Sequence, residues 1–260
     1  MNNRSIKSCL IFAHRGANKE AFEGGIAIAE NTRAAFNRAL KYSIDGIETD
    51  VQLSLDEVPV LWHDWELDKL GHQGKCIDDF NFEQLQKMDF AGYCSPDALA
   101  EGALSLQEFI DSYRGRCGLD IELKSRDGES QLRFQNKILK MLAVIGPSAA
   151  DDGVFISSFS LPGLIFANRH APDLPLYYLL SDHHTQADIE QFLKDYSFLA
   201  GFCLPIDIHN DSIAKLLREQ GKGVGVYTCN NEQDIQKALD LKVNILITDY
   251  PQLALQMRDK

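Results

Sequence analysis

The chain of 260 residues carries 26 basic and 38 acidic side chains, and this net charge of −12 argues against nucleic acid or an anionic membrane as the main partner. No apolar stretch approaches the ~18 residues that a membrane helix needs, so we expect no stable membrane association. The six cysteines are scattered, without a C-x-x-C pair or a disulfide framework. We therefore expect a cytoplasmic protein with buried, reduced thiols.

Eight short apolar runs follow one another along the chain, as is typical of parallel strands that are buried on both faces. They are Leu10–Ala13, Gly46–Val51, Gly118–Glu122, Val154–Ser157, Leu176–Leu180, Phe198–Leu204, Gly223–Thr228 and Asn244–Ile247. We also expect Pro59–His63 to form a short strand that adjoins the second run.

Amphipathic segments alternate with these strands. Ile138, Met141 and Ile145 have the spacing of a helix that buries one face. A later helix should start at Asp211 as its N-cap and end before Gly221. Eight strands that alternate with helices in about 250 residues predict an α/β fold of the TIM (β/α)8 barrel type; a doubly wound sheet is the structural alternative.

One segment, from about residue 64 to 104, breaks the alternation. We expect it to form loop, one short helix and more loop, as a small cap over the C-terminal face of the barrel. Asn81 with Gln84 resembles a capping box, and Ser105 with Glu108 opens the helix that returns to the barrel. Because no linker or internal repeat is present, we expect residues 1–260 to form a single domain.

Charged and titratable side chains stand at the ends of the predicted strands. In chain order they are His14 and Arg15, Glu48 and Asp50, His63 and Asp64, Glu122 and Lys124, Thr228 and Asn230, and Thr248 and Asp249. In a TIM barrel the C-terminal ends of the strands converge on one mouth, where such enzymes have their active sites. Residues far apart in the sequence can therefore form one site.

Three of these side chains are suited to a divalent cation. Glu48 and Asp50 lie two positions apart, so both point to the same face of a strand. With Glu122 they offer three hard oxygen ligands for Mg²⁺ or Ca²⁺, while Arg15 and Lys124 suit phosphate oxygens. Glu122 and Lys124 also allow a plain ion pair, and the prediction rests on the joint pattern.

Two histidines from different strands can divide the proton transfers of phosphodiester cleavage. One of His14 and His63 would deprotonate the nucleophile and the other would protonate the leaving alkoxide, and each transfer is typically worth ~10²–10⁴-fold in rate. His72 is expected to be a solvated loop residue. A zinc site at His183 and His184 lacks a third ligand at suitable spacing.

Taken in order, these motifs resemble the glycerophosphodiester phosphodiesterase family over nearly the whole chain. The residues that carry the resemblance are His14-Arg15-Gly16, Glu30-Asn31-Thr32, Asp45 through Val51, Val60 through Asp64, Leu104 through Glu108, Glu122-Leu123-Lys124, Ser157 through Phe159, and Thr248 through Pro251. The set in this order and spacing is far more specific than any single member.

The resemblance implies a TIM barrel that hydrolyses glycerophosphodiesters, such as glycerophosphocholine or glycerophosphoethanolamine, to sn-glycerol 3-phosphate and an alcohol. It implies one divalent ion, Mg²⁺ or Ca²⁺, with Mn²⁺ as a further option. The implied roles are His14 and His63 as the acid–base pair, Glu48, Asp50 and Glu122 as metal ligands, Arg15 and Lys124 as phosphate clamps, and Tyr227 as a contact to the glycerol or the alcohol.

The chain departs from the family pattern in two places. Glu30 stands farther from His14 than is usual in the family, so the stretch from about residue 18 to 29 is longer and could shape the headgroup site. Tyr227 occupies a position where the family usually has Trp. Both departures concern the shape of the substrate, and the motif residues for the chemistry are all present.

Two rival functions use the same barrel. A phospholipase D-type enzyme for lysophospholipid or sphingomyelin would share the histidines and the metal, and a catalytically silent phosphoester-binding protein would share the fold. The sequence leaves open the alcohol, the resident ion, the assignment of acid and base, the oligomeric state, and whether water or the glycerol 2-hydroxyl attacks phosphorus.

Overall fold

The computed structural model describes residues 9–19, 27–95, 97–147 and 152–260. The first elements are β1 (Leu10–His14), α1 (Arg33–Lys41), β2 (Gly46–Leu53), β3 (Pro59–Leu61), β4 (Glu66–Leu67), β5 (His72–Cys76), α2 (Phe82–Lys87) and α3 (Leu106–Tyr113). They are followed by β6 (Gly118–Leu123), α4 (Gln131–Ile145), β7 (Val154–Ser158), α5 (Leu161–His170), β8 (Leu176–Leu179), α6 (Gln186–Asp195), β9 (Gly201–Pro205), α7 (Asp211–Glu219), β10 (Gly223–Tyr227), α8 (Glu232–Asp240), β11 (Ile245–Thr248) and α9 (Pro251–Arg258).

Eight parallel strands close into a barrel in the order β1, β2, β6, β7, β8, β9, β10, β11 and back to β1. This closure confirms the predicted TIM barrel and excludes the doubly wound sheet, which has open edges. The predicted short strand beside the second run is present as β3, which ends at Leu61 and not at His63 and pairs antiparallel with the end of β2. The register places His14 beside Glu48 and Asp50 beside Glu122, so three neighbouring strands present their polar residues at the same end of the barrel.

Alternate residues of β1 face two different cores. Ile11 and Ala13 belong to the large apolar layer between barrel and helices, whereas Phe12 packs in the interior with Phe155 at 5.7 Å between ring centroids. A Cβ at Gly46 would lie 2.3 Å from the Phe12 ring, so this position requires glycine. His14 follows Phe12 by two residues and therefore stands one layer higher, at the mouth.

The segment between β3 and α3 has an apolar core of its own, formed by Val60, Trp62, Leu67, Ile77, Leu85, Phe90 and Ala103. The predicted capping boxes are confirmed, since the backbone N–H groups of Asn81 and Ser105 donate to Gln84 and Glu108. The expectation that the chain before α2 is loop is wrong, because β4 and β5 form an antiparallel hairpin there. β5 is mostly exposed, so its sequence shows no apolar alternation.

Several predicted boundaries also differ from the structure. Phe198 and Leu199 lie in a turn before β9, which starts at Gly201. The N-cap of α7 is Asn210 and not Asp211, since the Asn210 side chain accepts a hydrogen bond from the Ile213 N–H at 3.1 Å. Among the described residues, no helix combines the length and apolar character needed to cross a bilayer.

Candidate active site

A cavity of about 190 Å³ opens at the C-terminal ends of the barrel strands and has two contrasting sides. The charged side is lined by His14, Arg15, Glu48, His63, Glu122 and Lys124, and the apolar side by Phe159, Leu179, Tyr227 and Ile247. Asp50 lies fully buried behind the charged side. The structure thus brings all eight residues singled out from the sequence to one end of the barrel.

A tight turn after β1 directs His14 into this cavity. Arg15 and Gly16 both have left-handed backbone conformations, with φ of 54° and 86°. A Cβ at Gly16 would come within 2.7 Å of Ala35, so only glycine fits there. The Arg15 N–H donates to Glu48 Oε2 at 3.0 Å, which ties the turn to β2. The His-Arg-Gly motif is therefore a structural requirement as well as a carrier of polar groups.

His14 is oriented by Asp249 from the end of β11. The Nδ1 to Asp249 Oδ1 distance is 2.6 Å, and Asn230 donates to Asp249 Oδ2 at 2.7 Å. Burial alone would raise the pKa of Asp249, but the hydrogen bond and the charge of His14 hold this pKa below its usual value. Since an ionised carboxylate only accepts, the Nδ1 atom carries the proton and Nε2 remains for other contacts.

His63 is oriented in the same way by its chain neighbour. Its Nδ1 lies 2.8 Å from Asp64 Oδ1, and Lys69 Nζ lies 2.9 Å from Asp64 Oδ2. The hydrogen bond from His63 and the charge of Lys69 outweigh burial, so the pKa of Asp64 lies below its usual value. This pair is more open to solvent than His14 and Asp249, since 32% of the His63 side chain and 41% of the Asp64 side chain are exposed.

Glu48, Asp50 and Glu122 form a compact carboxylate group at the same mouth of the barrel as the two histidines. One oxygen from each lies within 4.8 Å of the others. Glu48 Oε1 and Asp50 Oδ1 are buried and accept no hydrogen bond from the described residues, which leaves lone pairs on both oxygens free to bind a cation. Three oxygen ligands with unused lone pairs match the coordination that hard divalent ions prefer.

Arg15 and Lys124 supply the positive charge of the site. Arg15 Nε lies 3.1 Å from Asp50 Oδ2, and Lys124 Nζ lies 3.0 Å from Glu122 Oε1 and 3.4 Å from Asp50 Oδ1. Burial alone would raise the pKa of Asp50, but these cations hold it below its usual range. Burial, followed by the charge of Asp50, raises the pKa of Glu48. The plain Glu122–Lys124 ion pair thus exists within a larger charged group.

Several polar residues of the site had no role assigned to them from the sequence. Asn31 donates to Asp50 Oδ2 at 2.9 Å and accepts from Thr49 Oγ1 at 2.7 Å, and Glu30 accepts from Arg15 Nη1 at 3.1 Å. Asp120 lines the cavity without a hydrogen-bond partner among the described residues. Burial raises the pKa of Asp120 to about 8. Its position two residues before Glu122 on β6 was the signal available in the sequence.

The apolar side contains Tyr227 at the end of β10. Its hydroxyl donates to the Leu180 carbonyl, so the ring and not the hydroxyl is offered to the cavity. Phe159 lies edge-on to this ring at 5.9 Å and is 44% exposed. Of the longer loop noted in the sequence, residues 20–26 lie outside the described residues. His72 begins β5 and contacts Phe80 in the insertion.

Comparisons with known proteins agree with this geometry. The model of the glycerophosphoryl diester phosphodiesterase family matches residues 14–253. The chain belongs to this family. It is similar to a glycerophosphodiester phosphodiesterase from Bacillus altitudinis, with 29% identity over 96% of this chain and 98% of that protein. One from Bacillus subtilis (strain 168) is 28% identical over 94% of this chain and 84% of that protein.

Solved structures show the same fold. A phosphodiesterase from Oleispira antarctica, determined in complex with the product sn-glycerol 3-phosphate, superposes with a TM-score of 0.82. It is 25% identical to this protein, and the match covers 96% of this chain and 97% of that one. The protein is therefore an enzyme, a phosphodiesterase of the hydrolase class that acts on a small phosphodiester.

Proposed function

We propose that the enzyme hydrolyses glycerophosphodiesters to sn-glycerol 3-phosphate and an alcohol at the cavity between His14 and His63. The observation that carries the proposal is the grouping of three clustered carboxylates with two histidines at one mouth of the barrel, where each histidine has a carboxylate at Nδ1. The product complex of the Oleispira antarctica relative supports the glycerol phosphate product. Glycerophosphocholine and glycerophosphoethanolamine are the substrates we propose.

The carboxylate group fits one divalent cation, Mg²⁺, Ca²⁺ or Mn²⁺. Glu48, Asp50 and Glu122 would hold it. The structural reason for this assignment is that one buried oxygen each of Glu48 and Asp50 accepts no hydrogen bond within the described ranges of the chain. Such an ion neutralises charge that grows on the phosphoryl oxygens in the transition state. The family is dependent on a divalent metal, and the choice among the three ions belongs to this proposal.

His14 and His63 would transfer the two protons of the reaction. With the Nδ1 proton of each ring engaged by Asp249 or Asp64, the Nε2 atom is left to accept or return a proton at the substrate. Hydrolysis by water and attack by the glycerol 2-hydroxyl both need one base and one acid. The same pair therefore serves either route.

Arg15 and Lys124 would bind the phosphate, and the apolar side would contact carbon atoms of the substrate. Both cations line the cavity while their charges face Asp50, so they lie close to any anion bound beside the carboxylates. The exposed edge of Phe159 and the ring of Tyr227 provide a surface for the glycerol or the alcohol.

Release of sn-glycerol 3-phosphate tests this proposal. Glycerophosphocholine and glycerophosphoethanolamine are incubated with the enzyme in EDTA and then with Mg²⁺, Ca²⁺ or Mn²⁺ restored. We expect no release in EDTA and turnover with at least one ion. Release that is indifferent to EDTA would contradict the metal assignment. Turnover of lysophospholipids alone would favour the phospholipase D-type rival, and no turnover of either class would favour a silent binder.

We further propose that the enzyme acts in a reducing compartment, the cytoplasm, because all six cysteines are free thiols. Burial raises the pKa of Cys9 to about 12 and that of Cys117 to about 11, so these thiols resist oxidation. Thiol titration of the protein denatured without reductant should count six groups. A lower count would contradict this proposal.

A further inference from the structure

One lysine of the insertion, Lys69, contacts two carboxylates at the mouth of the barrel, those of Glu30 and Asp64. It lies on the short 3-10 turn Asp68–Leu70. Its Nζ atom is 2.8 Å from Glu30 Oε1 and 2.9 Å from Asp64 Oδ2. Lys69 belongs to none of the sequence motifs and has no role in the proposed function.

Each of these carboxylates has a second contact to a residue of the proposed site. Asp64 Oδ1 accepts from His63 Nδ1 at 2.8 Å, and Glu30 Oε2 accepts from Arg15 Nη1 at 3.1 Å. Glu30, His63 and Asp64 also bring ligand atoms within 4.8 Å of one another, a spacing that could suit a metal ion. The Lys69 ammonium already supplies a positive charge at this point, so no second ion is needed there.

The apolar core of the insertion fixes the ammonium in place. Lys69 Nζ lies 4.5 Å from the ring centroid of Trp62 and 4.9 Å from that of Tyr93. The Trp62 and Tyr93 rings pack edge to face with 6.3 Å between their centroids, and Trp62 is only 1% exposed. Two aromatic faces and two carboxylates therefore hold one half-buried cation, which restricts it far more than a surface ion pair would.

We infer that Lys69 is a positioning residue, through which the insertion orients His63. Asp64 is 41% exposed, so without Lys69 its carboxylate can turn to water and leave His63 free to change rotamer or tautomer. Arg15 is also held by Asp50 at 3.1 Å, and it keeps its place when Glu30 loses Lys69. The effect should therefore fall on the proton transfer at His63, and this inference rests on the proposed function.

The test compares Lys69→Met, which keeps the length of the side chain, with Lys75→Met as the matched control. Lys75 lies in the same insertion, its side chain is 56% exposed, and it pairs with Asp79 alone, at 3.8 Å, in the part of the chain that the structure describes. For glycerophosphocholine we expect Lys69→Met to lower kcat about 3- to 10-fold, as a slightly misplaced catalytic group does, with KM changed less than about twofold. Lys69→Arg should recover most of kcat, since a guanidinium can reach both carboxylates. Lys75→Met should match the wild type.

A double-mutant cycle with Asp64→Asn shows whether Lys69 acts through Asp64. We expect Asp64→Asn/Lys69→Met to be no slower than Asp64→Asn alone, because the two residues serve one function. Losses that multiply, or a wild-type kcat in Lys69→Met, would overturn the inference. Should Lys69→Met fold poorly by circular dichroism, Lys69→Gln replaces it in the cycle, judged by the same criterion.

The same assay separates failure of this inference from failure of the proposed function. Wild-type enzyme and His63→Ala are measured beside the Lys69 variants with the activating ion present. Absence of wild-type turnover would reject the proposed function. An active wild type, an impaired His63→Ala and an unimpaired Lys69→Met would reject only the role of Lys69.

Discussion

The two sides of the mouth orient their histidines by different means. On the β1 and β11 side, Asp249 holds His14 and is itself fixed by the neutral amide of Asn230, with 14% of its side chain exposed. On the β3 side, Asp64 holds His63, is 41% exposed, and depends on the cation Lys69 from the insertion. The same imidazole–carboxylate contact is thus built once into the barrel and once at its edge.

This difference indicates which side tolerates change. Asp249 and Asn230 follow the adjacent strands β11 and β10, so the barrel itself places them near His14 without help from the insertion. The position of Asp64 requires in addition that the insertion folds and presents its lysine. We therefore expect the His14 side to be rigid and intolerant of substitution, and the His63 side to be adjustable through the insertion.

Replacing Glu48, a carboxylate of the proposed metal site, should affect the sites of both histidines, because both serve the reaction at that ion. We expect Glu48→Gln to weaken binding of the activating ion about 10- to 100-fold, because a neutral amide replaces a buried oxygen that accepts no hydrogen bond from the described residues. Isothermal titration calorimetry measures the affinity, and Glu66→Gln, on the exposed part of the insertion hairpin, is the control. Unchanged affinity in Glu48→Gln would remove it from the proposed ligand set.

A matched pair of substitutions compares the two sides directly. Asp249→Asn should lower kcat by about 100-fold, because its amide cannot accept from both His14 and Asn230 and so favours the wrong imidazole tautomer. Asp64→Asn should cost only about tenfold, since water can reach that site and replace one contact. Steady-state kinetics with glycerophosphocholine measure both. Equal losses would show that the barrel and the insertion hold their histidines equally well.

A third histidine, His209, is buried and has no hydrogen bond to a carboxylate among the described residues, and its pKa shows the effect. His209 is 1% exposed, and both ring nitrogens lack a hydrogen bond from the described residues. Burial, and then the charges of Lys237 and Arg218, lower its pKa from 6.5 to about 4. Between these pH values the unfolded chain binds a proton that native His209 does not, so the free energy of unfolding falls by about 3 kcal/mol as pH drops from 6.5 to 4.

His209→Leu removes this proton uptake from the unfolded state. We expect its unfolding free energy, measured by urea denaturation, to depend less steeply on pH between 6.5 and 4 than that of the wild type. Its kcat should be unchanged, because His209 does not line the cavity. An identical pH dependence in the two proteins would show that His209 is already able to titrate in the folded state.

The sequence predicted the barrel well, for a physical reason that the insertion does not share. A strand buried on both faces must be apolar along its length, so each of the eight runs was recognisable and only boundaries such as Phe198 and Asp211 were wrong. The exposed β4–β5 hairpin has no such requirement and was missed. Local signals for helix starts, as at Ser105, were recognised because capping depends on residues three apart.

For the site, residue types were predictable and their partners were not. His14, Glu48 and Glu122 stood out as polar groups at strand ends. The contacts of Asp249 and Lys69 join positions that are distant in the chain, and no periodicity encodes which carboxylate meets which cation. Closure of the barrel decides these pairings, so they appear only with the structure.

Turnover of glycerophosphocholine followed by ³¹P NMR tests the central claim most directly. With the activating ion present, the wild type should convert the diester signal into that of sn-glycerol 3-phosphate. His14→Ala and His63→Ala should each be slower by about 10²- to 10⁴-fold while their circular dichroism spectra stay native. Conversion at the wild-type rate by either variant would contradict the assignment of the two histidines as the acid–base pair.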